Sequence, residues 1–189
     1  MSEELIKSVQ DMLKEETWTR ATISNYTKNN LMELATIVER AHNENCANEI
    51  QEICNEQLAN TKDSIIALYI SGMISLKNRT LDNSALVALV DIFQKNMKES
   101  IVEYLCQSIL DDDPNNKFAL RTLAEYYRSI NDEKVWELYN QIVKLDFEEA
   151  DLTKALAEHY EAAGANGTHI QYYKKAILRH VNLTNMNAT

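Results

Sequence analysis

Three glycines and one proline in 189 residues constrain this chain more than any other feature. Average usage would supply roughly 13 glycines and 9 prolines at this length. Tight turns with positive φ favour glycine, so a sheet-rich fold with many hairpins is nearly excluded. Collagen-like and Pro/Gly-rich disordered classes go with it. What remains is helix joined to helix by short polar turns. At 45% hydrophobic residues the chain has enough apolar surface for a packed core.

The start Met1-Ser2-Glu3-Glu4-Leu5 is acidic and amphipathic, with no apolar stretch of the kind a secretion signal needs. No apolar run approaches the ~18 residues of a membrane span. These features predict a soluble, cytoplasmic protein without a membrane partner. The Asn-x-Thr sequons at Asn25, Asn78, Asn166, Asn182 and Asn187 then read as chance products of an Asn- and Thr-rich chain. Cys46, Cys54 and Cys106 are an odd, scattered set without zinc-ligand spacing, and read as buried small hydrophobes. The net charge of −10 argues against direct nucleic-acid contact, which draws on clustered Lys and Arg. The densest basic cluster, Lys174-Lys175 with Arg179, lies near a helix C-terminus, where cations complement the dipole.

Apolar residues recur at helical spacing almost throughout. The spacing predicts helices near 2–15, 28–44, 46–59, 63–77, 83–95, 98–111, 115–130, 132–146, 149–163 and 166–182. Asp63, Ser84 and Asn131 stand where N-caps are expected, and Asp113-Pro114 marks a stop and restart. Connections this short make consecutive helices antiparallel neighbours. Residues 63–77 are apolar nearly all round, which places that helix at the centre of the stack.

Laying 114–146 over 147–180 reveals a repeat. Leu123, Ala124 and Tyr127 fall on Leu156, Ala157 and Tyr160, while Val135, Tyr139 and Ile142 fall on His169, Tyr173 and Ala176. Upstream, Leu89, Val90 and Phe93, then Val102 and Ile109, join the same series. This pattern resembles the tetratricopeptide repeat, two antiparallel helices in which a large residue of one repeat fills the gap beside a small residue of the next. Thr153 stands where that family has Trp, and Val135 or His169 stands where it has a small residue. The resemblance implies an all-α, right-handed superhelical stack of antiparallel helix pairs. Each pair leaves an apolar face that its neighbour must cover. The predicted layout is an N-terminal helix and aromatic, Thr-rich segment over 1–27, a helical-repeat domain over 28–182, and a tail over 183–189. That tail reads as the truncated start of a further helix, so the chain is expected to be a fragment of a longer protein.

No enzyme signature emerges. The glycines are isolated, so no phosphate loop forms. His42, His159, His169 and His180 lack ligand spacing, and neither a metal nor a cofactor is expected. Asp111-Asp112-Asp113 has the chemistry to hold a divalent cation, but reads better as a solvated helix end before Pro114. The segment 15–27 carries Trp18, Ile23 and Tyr26, either as a staple holding the first helix to the stack or as an aromatic contact surface. The inner groove of the stack would expose Asp91 and Gln94, then Phe118, Arg121, Glu125 and Arg128, then Lys154 and Glu158. That mixture suits a peptide-binding groove and equally a solvated face.

Three stretches carry a closer resemblance: 16–27, with Trp18 and Tyr26; 63–72, Asp63-Ser64-Ile65-Ile66-Ala67-Leu68-Tyr69-Ile70-Ser71-Gly72; and 116–121, Asn116-Lys117-Phe118-Ala119-Leu120-Arg121. Together they resemble the helical N-terminal extension of long bacterial Gre-type transcription elongation factors, from residue 1 to about 182. The resemblance implies a non-catalytic accessory domain that binds a protein partner, RNA polymerase or an associated factor. The coiled coil and anchoring domain of ordinary Gre factors have no counterpart in these residues, and no catalytic acid is carried onto Asp111–Asp113. A generic tetratricopeptide-like scaffold that binds a peptide tail outside transcription is the alternative, with Arg121→Glu as its probe. An enzyme would need a deep pocket with converging titratable groups.

Overall fold

The computed structural model describes residues 2–16, 20–80, 82–145, 149–165, 167, 170–171 and 174–178, with the side chains of 20–22 left aside. Trp18 and the tail 183–189 lie outside the described residues, as do His169, Tyr173 and Arg179. Among the described residues there is no strand. The helices are α1 (Ser2–Glu15), α2 (Arg20–Asn25), α3 (Lys28–Asn43), α4 (Ala47–Asn60), α5 (Ile65–Lys77), α6 (Ser84–Lys95), α7 (Glu99–Asp112), α8 (Lys117–Ser129), α9 (Lys134–Leu145) and α10 (Ala150–Ala162). Residues 170–171 and 174–178 are also helical. Two compact units result, Met1–Pro114 and Asn115–Thr189.

In the first unit α5 is the hub. It packs against α1, α3, α4, α6 and α7, and its side chains are buried almost all round, from Ile65 to Leu76. The continuous apolar run Ile65-Ile66-Ala67-Leu68-Tyr69-Ile70 leaves no face for water, so other helices must enclose it. In the second unit α9 packs on both α8 and α10. Most of the repeat positions are core positions, while Tyr160 and Ala176 are half-buried. Leu89, Val90, Phe93, Val102 and Ile109 are buried in the first unit; Leu123, Ala124, Tyr127, Val135, Tyr139, Ile142, Leu156 and Ala157 are buried in the second.

One helix escaped the sequence reading. Residues 20–25 form α2, a short turn too brief to show a period. Ile23 is buried, and Tyr26 tilts against Phe93 with ring centroids 6.0 Å apart. Lys98 Nζ donates to the Ser24 and Tyr26 carbonyls, at 2.5 and 3.4 Å. These contacts tie the segment after α1 to α6 and to the start of α7.

The helix starts differ from expectation by a residue or more. Ser64, not Asp63, caps α5, its hydroxyl accepting from the Ala67 N–H at 3.1 Å. Asp82, rather than Ser84, bonds at the start of α6, accepting from the Ser84 N–H at 2.8 Å. Asp132 does the same before α9, accepting from the Lys134 N–H at 2.9 Å. The α5 cap has a second layer drawn from far along the chain. Glu16, just past α1, accepts from the Ser64 hydroxyl and from the Ile66 N–H at 3.1 Å. A carboxylate at a helix N-terminus satisfies orphan N–H groups and opposes the positive end of the dipole.

Asn131 has another role, and with it the glycine deficit changes meaning. Among the described residues five helices end in the same left-handed motif. The left-handed residues are Asn45, Arg79, Met97, Asn131 and Gly164, with φ of 58°, 54°, 55°, 54° and 68°. In each case the next N–H reaches back five residues: Cys46 to Ala41, Thr80 to Ser75, Lys98 to Phe93, Asp132 to Tyr127 and Ala165 to Tyr160. This is the Schellman closure, where glycine is usual. Four of the five positions carry a side chain instead. The fold thus has the special backbone positions that glycine scarcity seemed to rule out, and fills them with Asn, Arg and Met at a conformational cost.

Two predictions follow from these helix ends. Met97 is 83% exposed, so Met97→Gly loses no packing while relieving the left-handed strain. It should raise stability by about 0.5–1 kcal/mol in urea unfolding; a drop would mean that the strain is absorbed elsewhere. The second concerns Glu16. Burial raises its carboxyl above the ordinary 4.5, against the pull of the Ser64 hydroxyl and the Ile66 and Ile65 N–H groups. A folded-state pKa above the unfolded one gives stability that is full below the unfolded value and is lost as pH rises through the folded one. Glu16→Gln keeps an acceptor and removes the titration. Its stability should therefore gain on the parent as pH is raised from about 4 to about 7. Parallel unfolding curves at every pH would show that this carboxyl is not coupled to folding.

Candidate functional site

Seven of the positions expected on the groove face are exposed. Asp91 and Gln94 are exposed on α6, Arg121, Glu125 and Arg128 on α8, and Lys154 and Glu158 on α10. Phe118 is half-buried at the start of α8, and Trp18 falls outside the described residues. Three- and four-residue spacing puts each set on one helix face, away from the buried repeat positions. The face pairs its own charges: Asp91 with Lys95 at 2.5 Å in the first unit, Lys154 with Glu158 at 3.8 Å in the second. Such exposed pairs contribute little to stability. Arg121 is different. Its guanidinium contacts the carboxylate of Glu149, the N-cap residue of α10, and so ties α8 to the start of α10. Arg121→Glu would set two carboxylates face to face there, which makes it a poor probe of binding alone. Glu125 and Arg128 are the cleaner positions.

The first unit contains a cavity of about 240 Å³ between α4, α5 and α6. Its floor is an amide–hydroxyl network. Gln51 Nε2 donates to the Ser75 hydroxyl at 2.6 Å and the Ser71 carbonyl at 3.4 Å, and the Ser71 hydroxyl donates to Asn55 Oδ1 at 2.8 Å. Lys62 and Asp82 stand at its lining as the charged groups. The network uses its donors internally, and the residues carry no nucleophile–base pair of the kind that covalent chemistry needs. Among the described residues no three His, Cys, Asp or Glu side chains gather in an arrangement able to hold a metal. The three cysteines are free and buried, and burial, with Glu16 adding to it, pushes the Cys54 thiol up to about 12. Asp113 closes the end of α7, its N–H donating to the Ile109 carbonyl at 2.8 Å, and Asp112 pairs with Lys77 at 3.0 Å. The acidic run is therefore a helix end whose middle acid serves a tertiary ion pair. No helix of the described residues is long and apolar enough to cross a membrane.

Comparison with known proteins places these helices. No family model matches the chain. A GreA-associated domains protein of Treponema pallidum is 40% identical over 156 residues, 82% of this chain and 24% of that protein. The transcription elongation factor GreA of Borreliella burgdorferi is 32% identical over 183 residues, 96% of this chain and 20% of that protein. The chain is related to the Gre-associated proteins. It spans about a quarter or less of the length of these curated relatives. Solved structures give a fainter likeness. A MamA double mutant (RS-1 ArsTM) has a TM-score of 0.44 at 16% identity, over 81% of this chain and 96% of that one. YrrB, described as a TPR protein with an unusual peptide-binding site, has a TM-score of 0.36 at 14% identity, over 86% and 91%. The Gre-associated relationship rests on the two sequence matches.

Gly72 sets how closely α5 and α6 approach beside the cavity. A Cβ on it would stand 2.7 Å from Cγ and Cδ2 of Leu86, which is wholly buried on α6. The missing side chain lets α5 and α6 approach, and Ser71, Ser84 and Ala85 line the cavity beside that crossing. Gly72→Ala gains about 1 kcal/mol in helix propensity but overpacks a site that cannot give way. A net loss of about 1–2 kcal/mol is expected in thermal or urea unfolding. Leu86→Ala should be less damaging in the Gly72→Ala background than in the parent; strictly additive effects would place the strain somewhere else.

Proposed function

We propose that this chain is a non-catalytic protein-interaction part of a Gre-type transcription elongation factor, acting with RNA polymerase or a factor bound to it in the cytoplasm. The match that carries this reading is the one to a transcription elongation factor GreA, over 96% of this chain but only 20% of that protein. A segment matched across nearly all of its own length, within a much larger relative, behaves as an accessory module. The surfaces agree with such a role. The exposed stripe of α8 and α10 offers both signs of charge, which suits recognition of a polar protein segment better than the phosphate backbone of a nucleic acid. The cavity beneath α4, α5 and α6 has no assembled acid–base machinery, which supports a binding part over an enzyme.

The test uses purified core RNA polymerase and the 189-residue chain. Co-elution on size exclusion is expected, with the double variant Glu125→Lys, Arg128→Glu reducing affinity by about tenfold while leaving the unfolding curve in place. The chain alone should add nothing to the rate of transcript cleavage in arrested complexes. Binding to an unrelated peptide tail, with no polymerase retention by the chain or by the protein that carries it, would overturn the transcriptional reading and leave the generic scaffold.

A further inference from the structure

A second cavity, of about 180 Å³, opens between α3, α5 and α7 in the first unit. Its chemistry is unlike that of the first. Val38 and Met73 supply apolar wall, and the charged lining consists of Glu39, Asp111 and Asp112 with one cation, Lys77. Lys77 Nζ stands 2.8 Å from Glu39 and 3.0 Å from Asp112. Burial alone would lower the Lys77 ammonium; the two carboxylates more than offset it, so the lysine stays charged. In turn the Lys77 hydrogen bond holds Glu39 below its ordinary range. The lysine is thus paired with two carboxylates, and the lining keeps an excess of negative charge. Asp111 is exposed and has no partner among the described residues.

The decisive group is Tyr69. Its side chain lines this cavity and its residue is wholly buried, yet the hydroxyl has no hydrogen-bond partner. A buried polar group left unpaired costs about 1–3 kcal/mol, and native structures contain few of them. Burial, followed by the neighbouring Tyr104 phenol and the Asp112 and Glu39 carboxylates, raises the phenol's pKa, so it remains a neutral hydroxyl with an unpaired oxygen. An N–H donor brought against that oxygen, with the turn of the ring that its closed position requires, would satisfy it.

We propose that the α3–α5–α7 cavity receives the guanidinium of an arginine side chain from a protein partner, with Asp111 pairing its charge and the Tyr69 hydroxyl oxygen accepting one of its N–H groups. Guanidinium fits where other groups do not. Its five donors form a planar fork that can serve a carboxylate and a phenol together. Its aliphatic stem suits the Val38 and Met73 walls. A cavity of ~150 Å³ holds a benzene ring, so this one matches a single planar head group with part of its stem. An anionic ligand would meet the net negative lining, and a hard metal ion would need the carboxylates that Lys77 already occupies.

The inference rests on the reading of the chain as a protein-interaction part, but its test needs no polymerase. The chain is titrated with N-acetyl-arginine amide and followed by its backbone amide resonances. Saturable shifts confined to α3, α5 and α7 are expected, with N-acetyl-citrulline amide, the uncharged isostere, binding at least about tenfold more weakly. Tyr69→Phe should leave the ligand-free chain as stable as the parent, or more so, and weaken arginine binding by about fivefold or more. Asp111→Asn, at an exposed position, should weaken it comparably and carries the test whatever Tyr69→Phe does to the fold. Equal binding of arginine and citrulline, unchanged binding by Asp111→Asn, or the same amide shifts with magnesium chloride would overturn the proposal. Absence of polymerase binding would leave this titration as it stands and fall on the transcriptional reading alone.

Discussion

Everything in the first unit follows from one helix that cannot tolerate water on any side. The α5 sequence is apolar around nearly its whole circumference, and the hydrophobic effect therefore demands a complete shell. Helices α1, α3, α4, α6 and α7 supply it. The ends of α5 are the places where polar chemistry must resume, and charges from distant parts of the chain meet there. Glu16 and Ser64 close its N-terminus; Lys77, in its last turn, reaches Glu39 on α3 and Asp112 on α7. A cation at a helix C-terminus and a carboxylate at an N-terminus both follow the dipole. The buried hub thus dictates not only which helices surround it but where charged groups from distant parts of the chain meet it.

How much of this was legible depended on the distance between the residues that cooperate. Helix existence and length come from a local period of apolar residues, and the ranges agree with the structure to within a few residues for α1 and α3 through α10. The hub position of 63–77 was legible for the same reason: a helix without a polar face has only one place to go. The caps were not. Asp63 and Ser64 are adjacent acceptors, and which of them bonds depends on the backbone angle at the entry, ψ 111° at Ser64. The Schellman closures were hidden because the usual marker, glycine, occupies only the one at Gly164. Arg79 and Met97 give no local sign of a left-handed residue, since their conformation is imposed by the need to turn the chain into the next helix while its neighbours stay packed. The low glycine content predicted helices correctly, but for a reason that is only half true.

At the surface, the exposure of Asp91, Arg121, Glu125 and Lys154 could be read from spacing alone. Their partners could not, except within a helix. Lys154 and Glu158 are one turn apart, whereas Arg121 finds Glu149 at the cap of another helix. The same limit hid the cavity between α3, α5 and α7. Glu39, Tyr69, Lys77 and Asp111 share no motif, and Tyr69 looks in sequence like one more large residue in an apolar helix. The only local hint was the hydroxyl itself, a polar group in a helix that otherwise buries hydrocarbon.

These two cavities in the first unit show why lining chemistry matters more than size. The larger one is walled by amides and hydroxyls that satisfy one another: Gln51 with Ser75, Ser71 with Asn55. A ligand entering there would have to replace bonds already made, so each new contact returns only the difference. The smaller one holds a phenol oxygen with no partner and a carboxylate facing water. Its unbound state carries a cost that folding alone gives no reason to keep, because phenylalanine would fill the same core volume without it. A group whose desolvation is already complete adds no desolvation cost of its own when a donor arrives. That asymmetry favours the smaller cavity, despite its size, as the place where this helical shell has interaction energy left to offer.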